Sequence, residues 1–255
     1  MPTESDGTFP FPTRYTHMAA LATAFEWGRL KMQASVLGYF VHEKVERFEA
    51  RPDKAVATPA FFGSFKVLKN HDLSVRAFYK RMFRMPTFND LYYTDMGNAF
   101  LKPEYAEQFN VGLKYTRNFE KSPFMRMLDV SVDAYYNKIT DKIIAYPKGQ
   151  QFRWTMLNLG EVEIKGVDAV LNALFTLGKL EVTTKFQYTY QKAIDITDPA
   201  DTYYRDQIPY IPWHSGSAIL ALFYKGWGLN YSFIYTGQRY NQQENLSLIH
   251  ISEPT

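Results

Sequence analysis

The residues that could do chemistry are few and poorly spaced for it. His17, His42, His71, His214 and His250 are scattered, with no H-E-x-x-H zinc spacing. The sequence has no G-x-S-x-G nucleophile elbow, no glycine-rich phosphate cradle and no cysteine. Four carboxylates, Asp195, Asp198, Asp201 and Asp206, lie within one stretch, but they lack the glycine and closing glutamate of a calcium loop. They read as solvated loop charge. What remains is suited to holding a molecule rather than changing it. Tyr92, Tyr93, Trp154, Tyr203, Tyr204, Tyr210 and Trp213 lie near Arg84, Arg153 and Arg205. Aromatic faces and guanidinium groups can grip a large polar ligand by stacking and charge. No catalytic residue, metal site or cofactor is expected.

The elements that must position these residues follow from composition and period. The chain has 255 residues, 17% of them aromatic and 22% charged, yet its mean hydropathy is −0.33. Such a chain must interleave apolar and polar residues. No run approaches the ~18–20 apolar residues of a spanning helix, and the aromatic content argues against disorder. Net charge is +3 with no basic block, so a nucleic-acid partner is not expected. The segment from Met1 to Gly7 lacks the basic and apolar regions of a signal peptide.

The period is two. Leu128, Val130, Val132, Ala134 and Tyr136 alternate with polar residues, and so do Leu73–Tyr79, Phe109–Tyr115, Leu180–Tyr190 and Leu229–Tyr235. Tyr15–Trp27, Leu30–Phe48 and Thr58–Leu68 alternate less cleanly. Val162–Leu174 and Gly216–Tyr224 are strands of mixed phase. The total is about ten strands. Most are longer than the ~5–6 residues of ordinary strands and match the ~9–11 needed to cross a bilayer.

Short connectors (Gly28-Arg29, Lys69–Asp72, Asn118–Arg126, Gly178-Lys179, Lys225–Gly228) take turns with long ones (Glu49–Ala57, Arg84–Tyr105, Ile143–Glu161, Ala193–His214). That rhythm fits tight turns on one rim of a membrane barrel and long loops on the other. Trp27 and Trp227 then belong to an aromatic belt at the short-turn rim. The alternatives are a soluble antiparallel sandwich or a β-solenoid.

Three sequence blocks carry a resemblance. Phe83-Arg84-Met85-Pro86-Thr87-Phe88-Asn89-Asp90-Leu91-Tyr92-Tyr93, Gly97-Asn98 and Leu101-Lys102-Pro103-Glu104 form one. Ala134–Ile143 with Asn158–Asp168 form the second, and Tyr235-Thr236-Gly237-Gln238-Arg239-Tyr240 the third. Together they resemble TonB-dependent outer-membrane receptors, departing at Asp90 and Asp168, where glutamate is common.

The resemblance implies an all-β fold: an antiparallel transmembrane β-barrel, here partial, with about ten strands of a 22-stranded barrel. It implies residues 1–244 as the C-terminal barrel portion, while 245–255 read as a non-native, adaptor-like tail. Two unpaired edges are expected, at Tyr15–Trp27 and Leu229–Tyr240. The implied partners are outer-membrane lipid, an extracellular nutrient (siderophore, haem, corrinoid or glycan) and TonB–ExbB–ExbD through a plug region outside this sequence. The implied location is the bacterial outer membrane.

Phe83, Arg84, Pro86, Leu91, Asn98, Pro103, Glu104, Asn158, Gly160, Gly166, Tyr235, Thr236 and Gly237 are expected to be architectural. Arg84, Tyr92, Tyr93, Trp154, Tyr203, Tyr204 and Trp213 are the candidate ligand contacts. The rivals are a passive porin, a soluble β-sheet binding module and a barrel-borne hydrolase.

Overall fold

The computed structural model describes residues 10–46, 50–68, 72–93, 96–148, 153–241, 245 and 248–249. Ten strands form one antiparallel sheet in strict chain order. They are β1 (Thr13–Trp27), β2 (Leu30–Lys44), β3 (Lys54–Lys66), β4 (Asp72–Arg84), β5 (Glu104–Asn118), β6 (Met125–Lys148), β7 (Arg153–Leu177), β8 (Leu180–Asp195), β9 (His214–Tyr224) and β10 (Trp227–Thr236). A five-residue helix, α1 (Phe88–Tyr92), sits between β4 and β5. A two-residue ladder joins β11 (Arg239–Tyr240) to β12 (Leu248–Ile249). Among the described residues β1 and β10 each pair on one side only. No described helix is long and apolar enough to cross a membrane.

The register explains the alternation. Val75 lies opposite Leu113, Leu113 opposite Val132, and Val132 opposite Ala169. Ala169 lies opposite Tyr188, Tyr188 opposite Gly216, and Gly216 opposite Tyr235. Since directly opposed residues share a face, the apolar sets of five separately read strands fall on one side, here called outward. Leu21, Leu229 and Trp227 on that side are 78%, 63% and 82% exposed. A continuous apolar surface of this extent does not face water.

On β4–β8 the inward side carries polar residues. Arg76 reaches Asp133 across Gly112, where a Cβ would stand 2.1 Å from the Asp133 carboxylate. The Thr116 hydroxyl and the Asn172 amide donate to Asp129, at 2.7 and 3.2 Å. Thr189 donates to Asp168 at 2.7 Å. These bonds tie strands together side by side on a wet wall.

The turns of the short rim are set by backbone sign. Gly28 and Gly178 take φ +58° and +64°, and Lys225-Gly226 takes +47° and +89°. Those signs suit the primed turns whose twist matches a hairpin. Pro59 has no N–H to donate, and the β3–β4 ladder ends beside it at Ala60–Lys80.

Several boundaries differ from the sequence reading. β2 ends at Lys44 rather than at Phe48, and β3 begins at Lys54, inside the stretch Glu49–Ala57 read as a connector. Ile143–Glu161 is not a long loop: the β6–β7 ladder continues from Lys142–Leu159 to Lys148–Arg153, so this connector is a projecting hairpin. The last main-sheet strand stops at Thr236 rather than at Tyr240. Met1–Phe9, His71, His250 and most of the 245–255 tail lie outside the described residues, as does the Arg153 side chain.

Candidate functional site

The residues singled out from sequence gather at the long-loop rim, built by the β4–β5 loop, the β6–β7 hairpin and the β8–β9 loop. The first begins with a capping box. Thr87 Oγ1 accepts from the Asp90 N–H at 3.1 Å, and Asp90 accepts from the Thr87 N–H at 2.8 Å. This satisfies two donors at the start of α1. Asp90 performs it with one methylene fewer than the usual glutamate. Its carboxylate also takes a 3.1 Å bond from Arg84, whose other nitrogen lies 3.6 Å from Glu104. Glu104 in turn accepts from the Ile143 N–H at 3.0 Å. Arg84 therefore clamps the two ends of its loop, and Glu104 joins that loop to β6.

The second motif docks on the first. Asn158 Nδ2 donates to the carbonyls of Lys102 (3.1 Å) and Asp141 (2.7 Å), and its Oδ1 accepts from the Lys102 N–H at 2.8 Å. Asn98 donates to the Met156 carbonyl at 3.0 Å. Beneath these bonds Leu91, Leu101 and Ile143 form a small core with Phe88, Tyr92 and Met156 packed on it. Leu91 is 1% exposed. Pro86 is buried, and Pro103 precedes the Glu104 that opens β5.

Asp141, with φ +53°, marks the kink where the hairpin leaves the sheet. Gly160 leaves room for the Thr197 methyl, 2.3 Å from where a Cβ would stand. Gly166 makes room for the Tyr135 hydroxyl and the Tyr190 carbonyl, 2.3 and 2.5 Å from where a Cβ would stand. At the far end Tyr235 and Thr236 finish β10, and the Gly237 N–H donates to the His214 carbonyl at 2.8 Å.

The aromatic candidates separate. Trp154 and Tyr210 meet at 6.2 Å between ring centroids, linking the projecting hairpin to the β8–β9 loop. Tyr93 and Tyr204 are exposed, and Tyr203 and Trp213 are partly covered. Arg84 and Tyr92 belong to the brace. Burial and the Glu43 carboxylate push the Tyr92 phenol above its ordinary pKa, while Arg51 and Arg14 act against them.

The acidic stretch caps its own loop. Asp195 accepts from the Thr197 N–H, Asp198 from Ala200 and Asp201 from Tyr203. Among the described residues no three metal-binding side chains converge. The same loop is anchored by the buried Gln207, which bonds the Ala193 N–H (3.0 Å) and the Ile211 carbonyl (3.2 Å). Ile208 packs with Ala106, Ile139, Val162 and Ala193.

Three residues were missed from sequence. Arg14 pairs with the buried Glu43 and donates to the Pro86 carbonyl at 2.7 Å, its guanidinium 4.9 Å from the Phe88 ring. Arg51 donates to the Leu101 and Ala99 carbonyls. A signal existed for the first pair: counting outward from the Gly28-Arg29 turn places Arg14 opposite Glu43.

Residues 12–250 match the model of the family described as TonB dependent receptor-like, β-barrel. The chain belongs to that family. It is 34% identical over 99 residues to the vitamin B12 transporter BtuB of Vibrio vulnificus, covering 39% of this chain and 14% of the relative. It is 30% identical over 170 residues to that of Photobacterium profundum, covering 64% and 24%.

This TonB-dependent receptor-like chain thus spans a quarter or less of these relatives' length. Among solved structures it is similar to the copper transporter OprC, with TM-score 0.66 and 18% identity over 91% of this chain and 36% of that one. It is also similar to the FrpB iron transporter of Neisseria meningitidis, with TM-score 0.58 and 15% identity over 89% and 34%. At such identities the likeness is one of fold.

Proposed function

We propose that the chain is part of the barrel of an outer-membrane receptor that takes up a large, scarce nutrient at the expense of energy passed from the inner membrane. The observation that carries this reading is the division of the sheet. A broad apolar band on the outward side suits lipid, the hydrogen-bonded polar inner side of β4–β8 suits a wet lumen, and the long-loop rim is elaborated and braced. A nutrient would meet the exposed aromatics of that rim, Tyr93, Trp154 and Tyr204 among them, with Tyr203 and Trp213 beside them. Arg84 and Tyr92 would act by holding the loop. A plug region would couple the barrel to TonB–ExbB–ExbD. The cargo crosses without covalent change, so no enzymatic step is assigned.

The relatives named as B12 transporters make a corrinoid the first ligand to try, with ferric siderophores, haem and glycans next. The receptor carrying this chain is expressed in a host lacking its own B12 receptor, with and without TonB. Uptake of labelled cyanocobalamin or another of these ligands that depends on TonB supports the reading. Entry of small solutes independent of TonB points to a passive porin, and extraction of the protein without detergent points to a soluble binding module. Either result overturns it.

A further inference from the structure

The outward face changes character toward the long-loop rim. Above the lipid-suited side chains stand Arg81, Glu107, Lys138, Glu161, Glu163, Lys165 and Lys192, which the register puts on the same outward side. Lys138 meets Glu161 and Lys165 meets Glu163, each at 2.8 Å. The compensation is incomplete. Lys165 and Lys192 are directly opposed on neighbouring strands, and like charges so placed repel.

Among the described residues Lys192 has no carboxylate within ion-pair distance, and Arg81 Nε has no acceptor. Arg81 instead lies over the Tyr105 ring at 5.4 Å. Arg81, Tyr105, Glu107, Lys138 and Thr140 line a notch of about 220 Å³ on this face. Next to the lysine pair on the same side, Val167 faces Tyr190 and Leu171 faces Phe186; Val167, Leu171 and Phe186 are exposed.

Repelling cations beside an open apolar wall match a molecule with a multiply charged anionic head and hydrocarbon chains. A free anion would gain nothing from the wall. We propose that Lys165 and Lys192, flanked by Lys138 and Arg81, form an outward-facing site for phosphate groups of an anionic membrane glycolipid. The site rests on the outer-membrane reading above. A phosphate between the two ammonium groups removes their repulsion, in surroundings where lipid lowers the effective dielectric and strengthens the attraction. The acyl chains then cover Val167, Leu171 and Phe186.

The test uses the purified receptor carrying this chain, as wild type, as Lys165→Gln/Lys192→Gln and as Lys192→Gln alone. The single variant leaves the Lys165–Glu163 pair in place should the double one misfold. Lys185→Gln, on the inward side of β8, is the control. The probes are bisphosphorylated lipid A, the same lipid without phosphates, and inorganic phosphate.

The double variant is expected to weaken binding of the bisphosphorylated lipid by roughly thirtyfold, from two lost lysine–headgroup attractions, and the single variant by roughly fivefold. Lys185→Gln should leave binding unchanged. Equal affinity of wild type and folded variants, or equal binding of the lipid with and without phosphates, overturns the site. Inorganic phosphate binding as tightly as the lipid overturns the lipid as its source. A wild-type receptor that does not fractionate with the outer membrane defeats the earlier reading instead.

Discussion

β1–β3 and β5–β8 are walls of the same sheet with different inner surfaces. The inward side of β1–β3 presents Ala20, Ala22, Ala24, Leu37, Val56, Ala60 and Phe62. These side chains have nothing to exchange across strands; the bonds on that side are few, the Arg14–Glu43 pair at one rim, the Lys31–Glu26 pair at the other and a Thr58 hydroxyl to the Leu37 carbonyl. The inward side of β5–β8 is laced by Asp129, Asp133, Asp168 and Thr189, with glycines placed where a partner must cross. The first wall is held by its backbone ladder and what lies outside it. The second is also held by its own side chains. A strand therefore need not alternate cleanly to pair fully: β1 and β2 are in unbroken register from Thr13–Lys44 to Trp27–Leu30.

Substitution can break or sharpen this contrast. The largest effect is expected from Gly166→Ala in the laced wall. The new methyl meets the Tyr190 carbonyl at 2.5 Å as well as the Tyr135 ring, and overpacking of this kind costs about 3 kcal/mol. Heating the receptor and following its gel migration should show an earlier unfolding midpoint, and an unchanged midpoint would mean that the Tyr135–Gly166 contact is dispensable.

Asn158→Ala comes next. It removes two hydrogen bonds that moor the β4–β5 loop to the hairpin and one that joins the hairpin's own strands at Asp141, worth about 2 kcal/mol together. Limited proteolysis should cut the loop between Arg84 and Glu104 faster while the strands stay protected. Equal cutting rates would show that the brace does not depend on this amide.

The smallest effect is expected from Gly63→Ala in β3. A methyl there meets nothing within 4 Å, and the change should stay within about 0.5 kcal/mol. Gly63 faces outward, opposite Ala77, so a loss as large as that of Gly166→Ala would show that any methyl added to a strand, rather than the crowding on the inner side at Gly166, sets the cost.

The strands were legible wherever one side met lipid and the other water, because that environment forces a period of two. Phe109–Tyr115 and Leu128–Tyr136 are read directly. The pattern fades in Tyr15–Trp27 because its inner side is also apolar, with Ala20, Ala22 and Ala24. It fails over Ile143–Glu161 because a hairpin projecting beyond the bilayer is under no such constraint. There Pro147 and Gly149 suggest a loop although the ladder continues to Lys148–Arg153.

The rim was legible as motifs but not as contacts. The sequence places Arg84, Glu104 and Asn158 in separate blocks, and only the folded chain shows Glu104 reaching the Ile143 N–H and Asn158 bonding both ends of Lys102. Arg51 belongs to no block, and its bond to the Leu101 carbonyl depends on a loop path that no local pattern encodes.

The strict chain order of the sheet bears on how such a wall is built. Among the described residues every ladder of the ten-stranded sheet joins consecutive strands, so loop closure within it is brief at each step. Assembly can advance hairpin by hairpin, each new strand templated on the edge left by the last. The clasp between the β4–β5 loop and the β6–β7 hairpin joins pieces made at different times, and it closes only once both have emerged.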